Sequence, residues 1–257
     1  MQKSGRWWLA GLAVLLVGCG LTDYEQQMAK TRARLAWLAQ EDALLAGPVE
    51  WPTGLPRLFF RPPVGVATAP SGGTVPAGEW LHHFPAAERG AALPPVELFL
   101  GVLPRSERKL ESRITDYVRA HADWIPSTQD VDGPREETFV RPCDIPELRV
   151  PVRIRRFGLT TEELPQWPAP ERVSLPRRVV YQYEVNIHDT GEWFVVVIFK
   201  RFDRPATEDA WARHGLEPDP RFPTVDVKKL AEQRRYSLAM LRVGPAAEAR
   251  FRLMGRN

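Results

Sequence analysis

The chain has 257 residues, of which 44% are hydrophobic and 26% are charged. These proportions are those of a globular protein, and they exclude a chain that is disordered throughout. The formal net charge is +3, but Lys3 and Arg6 supply two of these charges, so residues 19–257 carry 33 basic and 32 acidic side chains. A nearly neutral chain lacks the clustered basic surface that nucleic acid requires, so we expect no nucleic-acid partner.

Residues 1–18 have the three parts of a secretory signal. A basic start is followed by an apolar run, Trp7–Val17, and then by the small residue Gly18. The run is shorter than the roughly 20 residues that a bilayer-spanning helix needs, so an uncleaved membrane helix is the less favoured alternative. The sequence Leu16–Cys19 (LVGC) resembles the lipobox of bacterial lipoproteins.

This resemblance implies that the chain is cut between Gly18 and Cys19 and that the Cys19 thiol carries a diacylglycerol, usually with a further acyl chain on the new amino group. Two or more acyl chains anchor a protein stably, at about 0.8 kcal/mol per buried methylene. Gly20 follows the cut, where enteric bacteria use Asp to retain lipoproteins in the inner membrane. The expected location is therefore the outer membrane, facing the periplasm.

A long helix is predicted directly behind the lipid, within residues 19–47. A capping box of Thr22 and Glu25 starts the helix at Asp23, and Gly47 with Pro48 ends it near Ala46. The helix could pair with another helix or pack on the protein's own domain, and the sequence leaves both open. Both alternatives would use a mostly apolar heptad seam, with Leu21, Met28, Leu35 and Asp42 at a, and Tyr24, Thr31, Leu38 and Leu45 at d.

Residues 48–95 are rich in proline and glycine and are predicted to form an extended linker, because proline fixes its own backbone and extends its predecessor. Phe59 and Phe60 are the exception, since they favour a strand that docks on the domain. The first quarter of the chain resembles the opening of uncharacterised planctomycete lipoproteins. The residues that carry this resemblance are Cys19–Gly20, Asp23–Glu25 and Leu58–Gly65 (LFFRPPVG). This likeness implies a lipid-anchored protein with a similar stalk, and it transfers no functional residue.

Residues 96–257 alternate strand and helix signals and are predicted to form an α+β domain, with helices on one face of an antiparallel sheet. The firmest element is a hairpin around the loop 189–192. Proline at position 151 places its strand at an edge of the sheet. The predicted strands are Val96–Leu103, Leu148–Ile154, Val179–His188, Trp193–Phe202 and a last one through Phe251 and Leu253; the predicted helices are Pro104–Trp124 and Val225–Leu241.

The motifs in this domain favour structural roles. Asp189–Gly191 (DTG) spells the triplet of aspartic proteases, but Glu192 and Trp193 depart from that family and no second triplet follows, so a hairpin turn is the better interpretation. Cys143 is the only thiol besides Cys19, which excludes an intramolecular disulfide and a cysteine-cluster metal site. We expect Cys143 to be a buried small side chain without a nucleophilic role.

The histidines do not form a metal-binding motif. His82 and His83 are neighbours on an extended segment and therefore point to opposite sides. His121 lies on an apolar helix face, and His188 and His214 stand near acidic residues without a recognised spacing. The sequence therefore predicts no metal site, no cofactor and no catalytic residue. A basic row is expected to be solvated on a strand face: Arg149, Arg153, Arg155 and Arg156.

Lipidation at Cys19, with signal cleavage between Gly18 and Cys19, is the only residue chemistry that the sequence predicts. The expected protein is a non-enzymatic envelope lipoprotein with a structural or protein-interaction role. Its anchor contacts the membrane, and its domain is presented to a possible envelope protein partner. The alternative is a lipid-tethered enzyme or ligand-binding protein that acts on envelope material through groups gathered from distant segments.

Overall fold

The structure is a computed structural model. It describes residues 6–51, 56–70, 80–87, 96–121, 123–124, 134–144, 147–163, 178–205 and 226–253. The helices of this part are α1 (Arg6–Leu44), α2 (Leu110–His121), α3 (Val227–Ala239) and α4 (Pro245–Leu253). The strands are β1 (Leu58–Phe59), β2 (Leu81–Phe84), β3 (Val96–Pro104), β4 (Asp123–Trp124), β5 (Arg135–Val140), β6 (Arg149–Glu163), β7 (Arg178–Asp189), β8 (Trp193–Pro205) and β9 (Arg242–Val243).

The chain divides into two compact units. The smaller unit comprises residues 1–43 and 142–147, and the larger comprises residues 44–141 and 148–257. In the smaller unit, residues 142 and 143 are held to α1 by two hydrogen bonds. The Arg34 Nε donates to the Pro142 carbonyl oxygen at 3.2 Å, and the Cys143 thiol donates to the Arg34 carbonyl oxygen at 3.4 Å.

Helix α1 begins at Arg6 and ends at Leu44, whereas the sequence predicted a start at Asp23 and an end near Ala46. The predicted start was wrong because a capping box marks the first turn of a helix only where the preceding residues are not themselves helical. The apolar run before it contains no proline and continues the same helix. Among the described residues, no helix is both long enough and apolar enough to cross a membrane.

The larger unit is built on an antiparallel sheet, which confirms the α+β class. Seven of the described strands form it, in the order β2-β3-β8-β7-β6-β4, with β5 paired to the first part of β6. The predicted hairpin is confirmed, since β7 and β8 pair antiparallel from Asp189 opposite Phe194 to Val179 opposite Pro205. Pro151 opposes Thr138 of β5, and the β6·β7 pairing starts only at Arg153. At Pro151 the strand is therefore paired to β5 alone, as proline requires.

Helix α2 covers one face of this sheet. The helix is shorter than predicted, because Pro104 still belongs to β3, opposite Trp193, and a turn precedes Leu110. Inward side chains of four strands meet the apolar side of the helix, since successive residues of a strand alternate between faces. The members of this core are Leu81, Phe99, Leu103, Leu110, Ile114, Tyr117, Tyr183, Val185, Ile187, Val196 and Ile198.

Helix α3 contacts the opposite face, over β5 and β6. It begins after Asp226, whose carboxylate caps the helix by accepting from the Lys229 amide at 3.0 Å. Arg242 serves the other end, where its Nη1 donates to the carbonyl oxygens of Ala239 and Leu241 at 2.9 and 2.6 Å. Both ends of α3 therefore have partners for backbone groups that a helix leaves unpaired.

Parts of the segment 48–95 belong to the folded unit. β1 pairs with β9, and β2 pairs with β3. Phe59 and Phe60 are fully buried, so burial of large apolar side chains holds these residues on the domain despite the surrounding prolines. The tail also differs from the predicted strand. Gly244, at φ +61°, forms a turn after β9, and Pro245 then starts helix α4, where proline is well tolerated.

Candidate functional site

The structure places Gly18 and Cys19 inside helix α1. Their side chains lie outside the described part, so cleavage and lipidation remain predictions. Cys143 is in the thiol form and is half-buried, which corrects the prediction of a buried thiol. Its thiol donates to the Arg34 carbonyl oxygen of α1 at 3.4 Å.

The Asp189 triplet forms the turn of the β7·β8 hairpin. The Asp189 carboxylate accepts from the Gly191 amide at 2.8 Å, and the Thr190 amide donates to the Trp193 carbonyl oxygen at 2.9 Å. Gly191 has φ +90°, a conformation that favours glycine. Arg105 lies 3.8 Å from the exposed Asp189 carboxylate. The residues therefore fulfil the requirements of a turn, as the sequence indicated.

His82 and His83 point to opposite faces of β2, as predicted. The His82 ring makes an edge contact with Trp51 at 5.1 Å between ring centroids. The His83 ring stacks on Phe99 at 4.6 Å on the other face. His188 is half-buried, and its Nδ1 lies 2.8 Å from the Pro151 carbonyl oxygen. The side chain of His121 and the whole of His214 lie outside the described residues.

Burial governs the titration of two of these histidines. It lowers the pKa of His82, because a buried imidazolium loses its hydration. Burial also lowers the pKa of His188, and nearby Arg242 adds to this effect, although the Pro151 carbonyl and Asp189 act in the opposite direction. Both histidines are therefore held in their neutral form at neutral pH.

The first charged cluster lies on the α2 face and consists of Glu97, Lys200 and His83. The Glu97 carboxylate is 3.2 Å from the Lys200 Nζ and 3.6 Å from the His83 Nε2. Burial raises the pKa of Glu97, but the polar contact with His83 and the charge of Lys200 outweigh this and lower it to about 2. Glu97 is thus a permanently charged, half-buried group at neutral pH.

The second charged cluster lies under α3 and centres on Glu184, whose side chain is 1% exposed. The Arg156 Nε donates to its carboxylate at 3.1 Å, and the Arg234 Nε forms an ion pair with the same carboxylate. Arg234 also donates to the Asn186 side-chain oxygen at 3.2 Å and to Glu137 at 3.3 Å. One helix arginine therefore contacts both β7 and β5, and Arg156 extends the same polar network to β6.

Glu184 is ionised in spite of its burial. Burial by itself raises the pKa of this carboxyl, but the positive charges of Arg234, Arg201 and Arg156 act against it, and the net effect is a lowered pKa. Asn186 completes the arrangement, since its amide donates to the Val197 carbonyl oxygen at 3.3 Å. A buried carboxylate with several cationic partners of this kind holds elements together and is poorly suited to accept a proton.

The basic row predicted on β6 is only partly solvated. Arg153 pairs with Glu111 of α2 at 2.9 Å, and Arg155 pairs with the same carboxylate. Arg156 points to the other face and pairs with Glu184. Arg149 is exposed at the start of the strand. The row therefore contributes to fixing both covering helices on the sheet.

Within the described residues, no group of three or more His, Cys, Asp or Glu side chains is placed to hold a metal ion. The two charged clusters were missed by the sequence reasoning, although β7 carries a signal for one of them. Gln182, Glu184, Asn186 and His188 alternate with apolar residues, a pattern typical of a strand with one wet face. The pattern does not reveal that α3 covers that face.

No protein-family model and no curated protein matches the chain. Among solved structures, the chain is similar to the Ran-binding protein Mog1p of Saccharomyces cerevisiae, with a TM-score of 0.42 at 11% identity over 78% of this chain and 96% of that chain. A mutant of Mog1 gives a TM-score of 0.38 at 11% identity, over 76% of this chain and 94% of that chain. Scores this low carry no argument about the function of the chain.

Proposed function

We propose that the protein is an envelope lipoprotein, anchored by acyl chains on Cys19, whose α+β domain has a structural or protein-binding role. The observation that carries the proposal is Leu16–Cys19, which resembles a lipobox and follows a basic start and a short apolar run. An anchor of two or more acyl chains holds the protein stably at a membrane surface.

The chemistry of the domain supports a role other than catalysis. A general base needs a pKa near the working pH and reach to a substrate proton. The pKa is lowered for the half-buried carboxyl of Glu97 and for the buried carboxyl of Glu184. Each of these carboxylates interacts with cationic side chains of the same unit. His82 and His188 are neutral and contact other parts of the fold. These groups support the stability of the domain.

The anchor is tested by metabolic labelling with a palmitate analogue in a bacterial host that processes lipoproteins. The full chain and a Cys143→Ala variant should both carry label and lose the first 18 residues. A Cys19→Ala variant should remain unlabelled and uncut. Cys143→Ala is the matched control, because it removes the only other cysteine of the chain. An unlabelled full chain, or labelling of the Cys19→Ala variant, would refute the anchor.

The outer-membrane location is tested by fractionating the envelope of an enteric host. We expect the full chain in the outer membrane and a Gly20→Asp variant in the inner membrane, with Gly20→Ser behaving as the unchanged chain. If Gly20→Asp leaves the distribution unchanged, this sorting rule does not apply to the protein. A binding role further requires that the lipidated chain, crosslinked in envelopes, retrieves the same proteins in independent preparations.

A further inference from the structure

Four large apolar side chains are aligned on one side of α1 and face solvent. Leu21 is 58% exposed, Tyr24 60%, Met28 37% and Leu35 60%. Single exposed apolar residues are common on protein surfaces, but a continuous line of them marks an interaction surface. In the heptad, Leu21, Met28 and Leu35 occupy a positions, and Tyr24 occupies a d position. We call these four residues the α1 seam.

Thr31, which interrupts the α1 seam, is compatible with burial. Thr31 occupies the d position between Met28 and Leu35, and its hydroxyl donates to the Gln27 carbonyl oxygen at 2.9 Å. Covering Thr31 would therefore leave its hydroxyl satisfied, which avoids the cost of an unpaired buried polar group. The apolar pattern ends at the exposed Asp42, the next polar residue at an a position.

The width and the flanks of the seam favour another helix over a lipid surface as its occupant. A strict a and d stripe is narrower than the apolar face of a helix that lies in a membrane interface. Such membrane-binding helices also carry an excess of Lys and Arg beside the apolar face. Here the flanking positions are mixed, with Glu25 and Arg32 at e, and Gln27 and Arg34 at g.

We propose that the α1 seam binds the same seam of a second copy of this chain, in a parallel two-helix coiled coil. This inference rests on the proposed lipid anchor, which lies two residues before Leu21 and sets the N-termini of both helices at the same membrane surface. In the parallel register, Gln27 at g faces Arg32 of the partner subunit at e, so an amide oxygen meets a guanidinium donor. Arg34 at g faces Ala39 of the partner subunit, so no like charges meet.

The membrane also supplies the strength that a short seam lacks. A coiled coil of fewer than three full heptads is weak on its own. Two copies anchored in one membrane meet at a raised effective concentration, and this converts a weak contact into a stable pair. We therefore expect pairing in membranes and little pairing of a dilute chain that lacks the anchor.

The test uses disulfide trapping in the full chain with Cys143→Ala as background. Leu35→Cys should give a disulfide-linked dimer in oxidised membranes. Ala33→Cys is the matched control at position f, on the far side of the helix, and should stay monomeric. An antiparallel pair would set Leu35 opposite Tyr24 instead, so a monomeric Leu35→Cys sample would overturn the inference. Protection of that thiol from a water-soluble reagent, without a dimer, would instead identify the lipid surface as the occupant.

A second variant separates the seam from crowding in the membrane. Met28→Glu, added to Leu35→Cys, should lower the dimer yield at least tenfold, whereas Ala29→Glu should leave it unchanged. Equal yields for both variants would refute pairing through the seam. Palmitate labelling of the same samples tests the anchor separately. Labelled but uncrosslinked Leu35→Cys contradicts the pairing alone, and unlabelled protein contradicts the proposed function.

Discussion

Arg234 of α3 forms an ion pair with the buried carboxylate of Glu184 on β7. The same guanidinium lies over the Phe139 ring of β5, 5.1 Å from its centroid. A cation thus fixes the helix on a polar stretch of the sheet, where apolar contacts alone would not specify its position.

Arg234→Met should destabilise the domain by about 3 kcal/mol, because removing one partner of a buried ion pair leaves the other charge under-compensated. Arg156 and Arg201 remain near Glu184 and keep the loss from being larger. The free energy of unfolding is measured by urea denaturation. Lys228→Met, at an exposed position of the same helix, should change it by less than about 0.5 kcal/mol.

A double-mutant cycle isolates the interaction itself. Glu184→Gln should also destabilise the domain, and the effect of Arg234→Met should be smaller in that background, with a coupling of about 1–3 kcal/mol. Strictly additive losses from the two substitutions would show that the pair is not coupled and that only packing was lost.

Glu97 should make the domain sensitive to acid. Its pKa is about 2 in the folded protein against an ordinary value of 4.5, so the folded state favours the charged form. The resulting stability is complete above about pH 4.5 and is lost as the pH falls toward 2, a change on the order of 3 kcal/mol. Glu97→Gln should flatten the stability curve in this window. Glu136→Gln, an exposed carboxyl on β5, should leave the pH dependence as in the unchanged protein.

Gly101 permits the close approach of β2 to β3. A Cβ at this position would lie 2.6 Å from a Trp80 ring carbon and 2.7 Å from the Trp80 carbonyl oxygen. Gly101→Ala should therefore cost about 1–3 kcal/mol in the free energy of unfolding, since a backbone atom cannot move as a side chain can. At Gly47 the nearest atom would be 4.0 Å away, so Gly47→Ala is the control, and equal costs at both sites would contradict the steric explanation.

The hairpin turn should depend on Gly191 and on the acceptor oxygen of Asp189. Gly191→Ala should cost about 1–2 kcal/mol because of its positive φ, and Gly191→Asn should cost less, since Asn tolerates this conformation better. Asp189→Ala loses the hydrogen bond to Gly191 and should cost about 1 kcal/mol, whereas Asp189→Asn retains an acceptor. Thermal denaturation measures all four variants, and an Asp189→Asn loss as large as that of Asp189→Ala would contradict the turn role.

The strands with simple alternation were predictable. Val150, Val152 and Ile154 are buried while Pro151 and Arg153 are exposed, because successive side chains of a strand point to opposite faces of the sheet. The helix bounds were less predictable. Whether α2 starts at Pro104 or Leu110 depends on where the pairing of β3 with β8 ends, and a local pattern does not contain that information.

The sequence by itself determined the export and lipidation prediction at Cys19, the α+β class and the β7·β8 hairpin, because each depends on neighbouring residues or on a short period. Only the tertiary structure decided that Phe59 and Phe60 are core residues, that the tail is helix α4, and that Glu184 and Asn186 lie under Arg234. These contacts join residues tens of positions apart in the chain. Their energy comes from burial and charge pairing between distant segments, which no local pattern records.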